Sequence, residues 1–433
     1  MLQHTWNSLP ADRDSIDAVA ANGLEYRVID TGDAEVFDPY LQAEMRGFLG
    51  PEQSVERLGA LRDGLAFRRF TGVYDPAALE PRQPVGTVNS WITEVALPGG
   101  GIPLWAISGV TVSGTHRRKG IARAMLEGEL RTAAAAGVAL AGLTVSEATI
   151  YGRFGFSPAT FGDDWTIDTR RARWIGPRPD GRLDFIARDR ARDELAELHE
   201  RVRATRPGEI AVWPGFWSRL TGTAPGIEGA EKIRAVRYAD PAGITRGIAL
   251  YRLSDEGPDF TKHELSLLYV LTETPDAYAA IWRFVLEHDL VSVVKAHLLS
   301  VDEPVRWMIA DQRGATVESS EHHWLRVLDV PAVLAARTYS APGVYTLRVI
   351  DPLGFADGVW RLTIDDTGAG EVVATDAEPR VTMTVNALSS LVLGGVRAAS
   401  LHAAGLVDGD PDVLTHLDRS FASARTPYLG LWY

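Results

Sequence analysis

The 433-residue sequence predicts a mixed α/β (α+β) protein: two tandem domains of one strand-and-helix order, then a smaller α/β domain. Three observations carry this reading. Residues 110–125 run from an apolar strand through a basic turn into a helix. A similar order of strands and helices recurs from residue 183. From residue 316, short strands with turn signals replace that order. The expected divisions are an extension over 1–23 and domains over 24–178, 179–315 and 316–433.

In the first domain, residues 24–29 read as a strand and 37–48 as a helix. Residues 84–97 and 102–112 form a hairpin over Gly99-Gly100-Gly101. The stretch 118–136 is rich in Ala, Leu and Glu and predicts a helix. A buried strand follows over 138–145, then a short helix over 149–154, a turn over 155–158 and a strand over 161–168. Pro177 and Pro179 mark a linker over 176–181. The second domain repeats the logic, with helices over 187–205, 275–288 and 303–309 and strands over 232–238, 244–253, 263–271 and 291–300. The third region has strands over 324–330, 343–349, 358–364 and 380–385, and helices over 330–336, 385–393 and 411–421.

Composition narrows the function. A net charge of −13 argues against general nucleic-acid binding and favours cationic partners such as amines. The absence of cysteine excludes disulfides, thiolate zinc sites and a thiol nucleophile, and fits a cytoplasmic location. No apolar run is long enough to span a membrane, and the N-terminus lacks a signal pattern.

The basic turn has the form Arg-x-x-Gly-x-Ala, with Arg117, Gly120 and Ala122. The first amides of a helix have no carbonyls behind them, and the helix dipole adds positive potential there. Gly120 allows close backbone approach, and Arg118 and Lys119 add charge, so the turn can cradle a pyrophosphate. A solvated helix cap is the competing reading. A dinucleotide site fits worse, because Gly-x-Gly-x-x-Gly is absent. The corresponding place in the second domain, Thr272-Glu273-Thr274-Pro275-Asp276, has neither glycine nor basic residues, so that copy is expected not to bind the same ligand.

A second motif, Ser146-Glu147-Ala148-Thr149-Ile150-Tyr151-Gly152-Arg153-Phe154-Gly155-Phe156, follows the 138–145 strand. Tyr151 could donate a proton to a leaving thiolate, or simply pack with Phe154 and Phe156. The basic turn resembles the acetyl-coenzyme A loop of the GNAT superfamily. Together with the Tyr-Gly-Arg-Phe-Gly block and Pro158-Ala159-Thr160, it resembles the Eis family of N-acetyltransferases over nearly the whole chain. The run 381–388 resembles sterol-carrier-protein-like domains, so the resemblance implies two GNAT-like domains and a sterol-carrier-like tail.

The resemblance implies acetyl-CoA as cosubstrate and a small-molecule amine as acceptor, aminoglycosides or other polyamines among them. Alternatives are protein lysines, or a ligand-binding protein with a vestigial transferase fold. It also implies a homo-oligomer, the hexamer of the family. Val110, Thr111 and Val112 would hold the pantetheine arm by backbone pairing, and Arg118, Lys119, Gly120, Ile121, Ala122 and Arg123 the pyrophosphate. Ser146 and Glu147 would lie beside the thioester, Tyr151 would be the general acid, and the C-terminal carboxylate of Tyr433 the base.

Two acids of the family are replaced, by Gly47 and Trp432, which puts aminoglycoside modification in question. The apolar end, residues 428–433, is expected to dock rather than fray. The pair His322-His323 does not have metal-ligand spacing and is expected to be solvated. Trp213, Trp217, Trp282 and Trp307 are expected in cores or interfaces.

Overall fold

The computed structural model describes residues 6–254, 259 and 261–433. They form two compact units. One holds the chain up to Ala159, His323–Ala424 and Tyr433; the other holds Thr160–His322 and Arg425–Trp432.

In chain order, the first unit opens with α1 (Arg13–Ala20), β1 (Glu25–Val28), α2 (Ala34–Gly47), α3 (Val55–Leu65), β2 (Arg69–Tyr74), β3 (Gly86–Leu97) and β4 (Gly100–Val112). Then come α4 (Ile121–Ala135), β5 (Leu140–Thr144), α5 (Ala148–Tyr151) and β6 (Ser157–Pro158). The second unit holds β7 (Phe161–Asp168), α6 (Thr169–Ala172), β8 (Arg182–Ile186), α7 (Arg188–Arg203), α8 (Phe216–Leu220), β9 (Arg234–Ala239) and β10 (Thr245–Leu253). It continues with β11 (His263–Thr272), α9 (Pro275–Leu286), β12 (Val291–Leu299) and β13 (Ala315–Glu321). The chain then returns to the first unit with β14 (His323–Val327), α10 (Val330–Ala336), β15 (Gly343–Ile350), β16 (Gly358–Ile364), β17 (Gly370–Ala374) and β18 (Val381–Thr384). It finishes with α11 (Val385–Leu391), α12 (Ala398–Ala403), β19 (Val407–Gly409) and α13 (Pro411–Phe421).

The first sheet has the order β1-β2-β3-β4-β5-β14-β6, antiparallel except for the β4–β5 pair. One face packs on α4 through Val88, Trp105, Ile107, Met125, Leu126, Leu130, Ala141 and Leu143. Within that core, Glu129 of α4 is paired with Arg69 at 2.5 Å and accepts from the Trp105 indole at 3.0 Å. A buried carboxylate needs both partners to offset its desolvation.

The second sheet runs β13-β7-β12-β11-β10-β9-β8 around α9. A third sheet, β17-β16-β15-β18-β19, lies in the first unit. Arg326 of β14 is buried there, making a bidentate contact with Asp351 (2.8 Å to each oxygen) and donating to the Phe154 carbonyl at 2.7 Å.

Four expectations are corrected. The strand at 161–168, read as part of the first domain, pairs with β12 and β13 in the second sheet. Residues 324–327, read as part of the third region, pair with β5 in the first sheet, and 316–321 pair with β7 in the second. Alternating apolar strands fit beside either fifth strand, so pattern alone cannot assign them to a sheet. The extension over 1–23 contains α1, capped by Asp12 and fixed to α4 by Ser15 Oγ donating to Ala124 O at 2.7 Å and by Arg131 on Asp12. The helix expected over 303–309 is one 3₁₀ turn, Pro304–Trp307.

Candidate active site

β4 and β5 pair only over Leu104–Ala106 and Leu140–Gly142. Past that point they part. A register shift between Thr87 and Asn89 bends β4 where Gly109 takes φ +63°. On its other side β4 stays paired with β3 through Val112. The edge of Val110, Thr111 and Val112 that faces β5 therefore has backbone groups without a strand partner. An extended amide-bearing chain could satisfy them.

The turn beyond β4 is braced from one side. His116 Nε2 lies 2.9 Å from Asp75 Oδ2, and Thr115 Oγ1 lies 2.8 Å from His116 Nδ1. The imidazole beside Asp75 holds its carboxyl below the usual carboxylate range. Arg118 sits at φ +64°, a left-handed conformation that costs a non-glycine residue roughly 1–2 kcal/mol. Gly120 follows at φ +75° as the N-cap of α4, with no side chain capping the helix and open space where a Cβ would be. The amides of Ile121, Ala122 and Arg123 thus start a 15-residue helix with no side-chain acceptor. Arg117, Arg118 and Lys119 are exposed around them, while Arg123 reaches Glu127 at 2.7 Å.

At the end of β5 the chain exposes Ser146 and Glu147 and then buries Tyr151. Tyr151 packs edge-to-face on Phe156 at 6.3 Å. Burial, with a smaller contribution from the Glu147 charge, pushes its phenol up to about 12. The loop is pinned from the third sheet's domain: Asn386 Nδ2 donates to Gly152 O (2.8 Å) and Phe156 O (2.9 Å), and Ser390 contacts Ser157. A Cβ at Gly155 would lie 2.4 Å from Arg326 Nε, so glycine is needed there on space as well as on its φ of +86°.

Ala141 and Leu143 of β5 face the α4 core, so Gly142 and Thr144 face the other side of the sheet. Tyr433 lies on that side. Thr144 Oγ1 donates to Tyr433 O at 2.8 Å, the Tyr433 hydroxyl lies 2.7 Å from His323 Nε2, and the Tyr433 ring meets Trp91 edge-to-face at 5.4 Å. Burial holds the Tyr433 phenol well above its usual range, so it stays neutral. His322 and His323 are not solvated: they are 1% and 0% exposed. His322 belongs to the second unit, where its Nε2 lies 2.8 Å from Leu431 O. Burial pushes that imidazole down to about 4.

Four residues that the sequence does not mark, Glu44, Asn89, Arg68 and Trp91, complete this face. Glu44 of α2 accepts from Asn89 Nδ2 at 3.2 Å, Asn89 Oδ1 accepts from Arg68 at 3.0 Å, and the Arg68 guanidinium stacks on Trp91 at 3.9 Å. Desolvation pushes the Glu44 carboxyl up to about 7, against the pull of Arg68 and Asn89. Nothing in the sequence marked Glu44, since its spacing from the motifs is unremarked by any pattern. An acid on the inward face of an amphipathic helix is the one signal available.

The second unit has an equivalent parting of parallel strands. β11 and β12 pair over His263–Leu267 and Val291–Ala296 and then separate. A cavity of about 230 Å³ there is lined by Leu267–Val270, Leu298, Arg219 and residues of the C-terminal segment. Tyr428 enters it, its amide donating to Pro207 O at 2.8 Å and its hydroxyl to Leu298 O. The helix that follows, α9, begins on Thr274, whose hydroxyl accepts from Ala277 N, and carries Pro275 and Asp276 in its first turn. Trp213, Trp217 and Trp282 are buried, whereas Trp307 is 74% exposed.

Comparison with known proteins agrees with this layout. Residues 28–159 and 208–327 each match an acetyltransferase (GNAT) domain family, and residues 330–430 match a sterol carrier protein domain. The chain is 32% identical over 394 residues to N-acetyltransferase Eis of Mycobacterium bovis, covering 88% of this chain and 92% of that protein. It is 34% identical over 403 residues to an uncharacterised N-acetyltransferase of Streptomyces coelicolor, covering 91% and 97%. Among solved structures, Eis1 from Mycobacterium abscessus superimposes with a TM-score of 0.78 at 27% identity, over 92% of this chain and 98% of that one.

Proposed function

The chain belongs to the Eis-like N-acetyltransferases of the GNAT superfamily, and from that premise we propose that it moves the acetyl group of acetyl-CoA directly onto a primary amine of an aminoglycoside or another polyamine. It is an acetyltransferase, and acetyl-CoA is its acetyl donor. The observation that carries the finer reading is the open β4 edge at Val110–Val112 beside the uncapped start of α4, with Tyr151 and Tyr433 at the end of β5. The edge suits the amides of a pantetheine arm, and the α4 amides with Arg118 and Lys119 suit a pyrophosphate. Ser146 and Glu147, exposed just past β5, are assigned to the thioester end.

In this reading the C-terminal carboxylate of Tyr433 takes the proton of the acceptor ammonium, held in place by the Thr144 hydroxyl. Tyr151 gives its proton to the departing sulfur. Its raised pKa keeps that proton in place at neutral pH until the thiolate develops. No cysteine exists to carry the acetyl group, which favours direct transfer. We assign the hexamer of the family as the assembly; exposed Ile175, Phe185 and Trp307 offer apolar contact surface. Light scattering tests it, and a monomer would refute it.

The test of the reaction is thiol release from acetyl-CoA with kanamycin, spermidine or a lysine peptide as acceptor. Release with the first two sustains the proposal. Release with the lysine peptide alone would replace the acceptor, and release with none would remove the activity.

A further inference from the structure

Two consecutive buried imidazoles, His322 and His323, hold the last three residues of the chain between them. His322 Nε2 lies 2.8 Å from Leu431 O. A carbonyl only accepts, so that nitrogen carries the proton and donates. The same ring meets the Trp432 indole edge-to-face at 4.6 Å. His323 Nε2 lies 2.7 Å from the Tyr433 hydroxyl, and those two rings meet edge-to-face at 5.6 Å. The chain passes from the second unit to the first between His322 and His323, and again between Trp432 and Tyr433. Each imidazole therefore meets the part of the tail that shares its own unit. β5 leaves room for the second of these contacts: a Cβ at Gly142 would lie 2.9 Å from His323 Nε2 and 3.0 Å from the Tyr433 hydroxyl. Gly142 is outside the left-handed region, so glycine supplies space there and not an unusual backbone.

We propose that His322 and His323 are positioning residues, which fix the last three residues so that the Tyr433 carboxylate stays at the end of β5. The inference rests on the reading of that carboxylate as the base. A chain end is tethered on one side only and frays unless it is tied down. Thr144 ties the backbone of Tyr433, its hydroxyl donating to Tyr433 O and accepting from Tyr433 N at 3.4 Å. One hydroxyl leaves a short segment free to swing about it. The His322 bond lies two residues back, at Leu431, and the His323 contact lies at the far end of the Tyr433 side chain. Three separated points set the orientation of the segment where one does not. A proton acceptor needs that precision, because a displacement of about 1 Å can cost about 10²-fold in rate. The residue type suits the task. Leucine or phenylalanine would pack on the Trp432 and Tyr433 rings, but would leave the buried Leu431 carbonyl and the Tyr433 hydroxyl without these partners. An imidazole supplies the ring and the polar atom together.

The test is a double-mutant cycle on the full-length protein, with spermidine and kanamycin as acceptors and acetyl-CoA saturating. One change is His322→Leu or His323→Leu. The other is a Gly-Gly extension after Tyr433, which turns the terminal carboxylate into an amide that takes no proton. Single-turnover rates read the slow chains. At native length, each leucine variant is expected to lower kcat roughly tenfold with acetyl-CoA affinity unchanged. In the extended chain the same substitution is expected to cost nothing further, since the group it places is already gone. His322→Gln, whose amide can donate to Leu431 O, is expected to keep most of the rate. Gly142→Ala crowds the His323–Tyr433 pair without removing a buried ring, and should show the same loss at native length only. An equal loss in both backgrounds overturns this inference, because the histidines would then serve folding and not the base. Unchanged kcat in the leucine and alanine variants, with an extension that abolishes activity, overturns this inference alone. An extension without effect overturns it together with the base reading.

Discussion

The helix after the parting strands begins differently in the two acetyltransferase domains. α4 starts on Gly120 at φ +75°, with no capping side chain and three exposed cations before it. α9 starts on Thr274, which caps Ala277, with Pro275 in place of a free amide and Asp276 adding negative charge. A capped helix is the more stable of the two by about 1 kcal/mol, and proline at the first position suits a helix that binds nothing there. An uncapped one leaves its amides for a ligand. The strand gaps differ in the same sense. The β4 edge is open, whereas Tyr428 and its neighbours enter the gap between β11 and β12. One fold thus offers two finishes, one suited to holding a phosphate chain and one suited to holding the protein's own tail.

That contrast can be broken at several points. The largest effect is expected from Tyr151→Phe, which should lower kcat by roughly 10²-fold or more with little change in acetyl-CoA affinity. A rate near wild type would remove Tyr151 from the chemistry. Next comes pH. The His322 pKa is depressed from about 6.5 to about 4 in the folded state, so between those values the unfolded chain binds the extra proton. The stability is complete above pH 6.5 and falls as pH drops towards 4, by up to ~3 kcal/mol. His322→Gln should flatten that part of a Tm-versus-pH curve; an unchanged curve would mean that His322 titrates normally. Glu44 works in the opposite sense, since its folded pKa of about 7 is raised and its cost grows as pH rises from 4.5 to 7. Arg118→Ala should raise the acetyl-CoA KM roughly tenfold, whereas Arg283→Ala on α9 should leave it unmoved. The smallest effect is Thr274→Ala, which should cost about 1 kcal/mol of stability by calorimetry without altering cofactor binding.

What could be read from the sequence follows from how local each signal is. Gly120 and the basic run are legible because a helix start with no capping side chain is a local statement. So is Thr274-Pro275-Asp276. Residues 330–336, 358–364 and 411–421 carry their own caps or alternation, and the observed elements match those bounds. The sheets of β7 and β14 are not legible because the partner strand is distant in sequence. The burial of His323 is hidden for the same reason: a histidine facing away from an apolar pattern looks solvated until Tyr433 covers it. Glu44 is not legible because its meaning lies in Asn89 and Arg68, on other segments of the chain.

The exchange of β7 and β14 between the sheets bears on how the chain is made. β5 takes β14 as its neighbour, so the first sheet has an unpaired edge at β5 until residues 323–327 have left the ribosome. At ordinary synthesis rates that wait is on the order of ten seconds. An apolar strand with an open edge is a template for pairing with another chain. A nascent first domain therefore spends its early life exposed to aggregation, and a fragment cut before β14 would keep that edge permanently. Expression of such a fragment should yield aggregates, and supplying residues 160–433 as a separate polypeptide should recover part of it in soluble form.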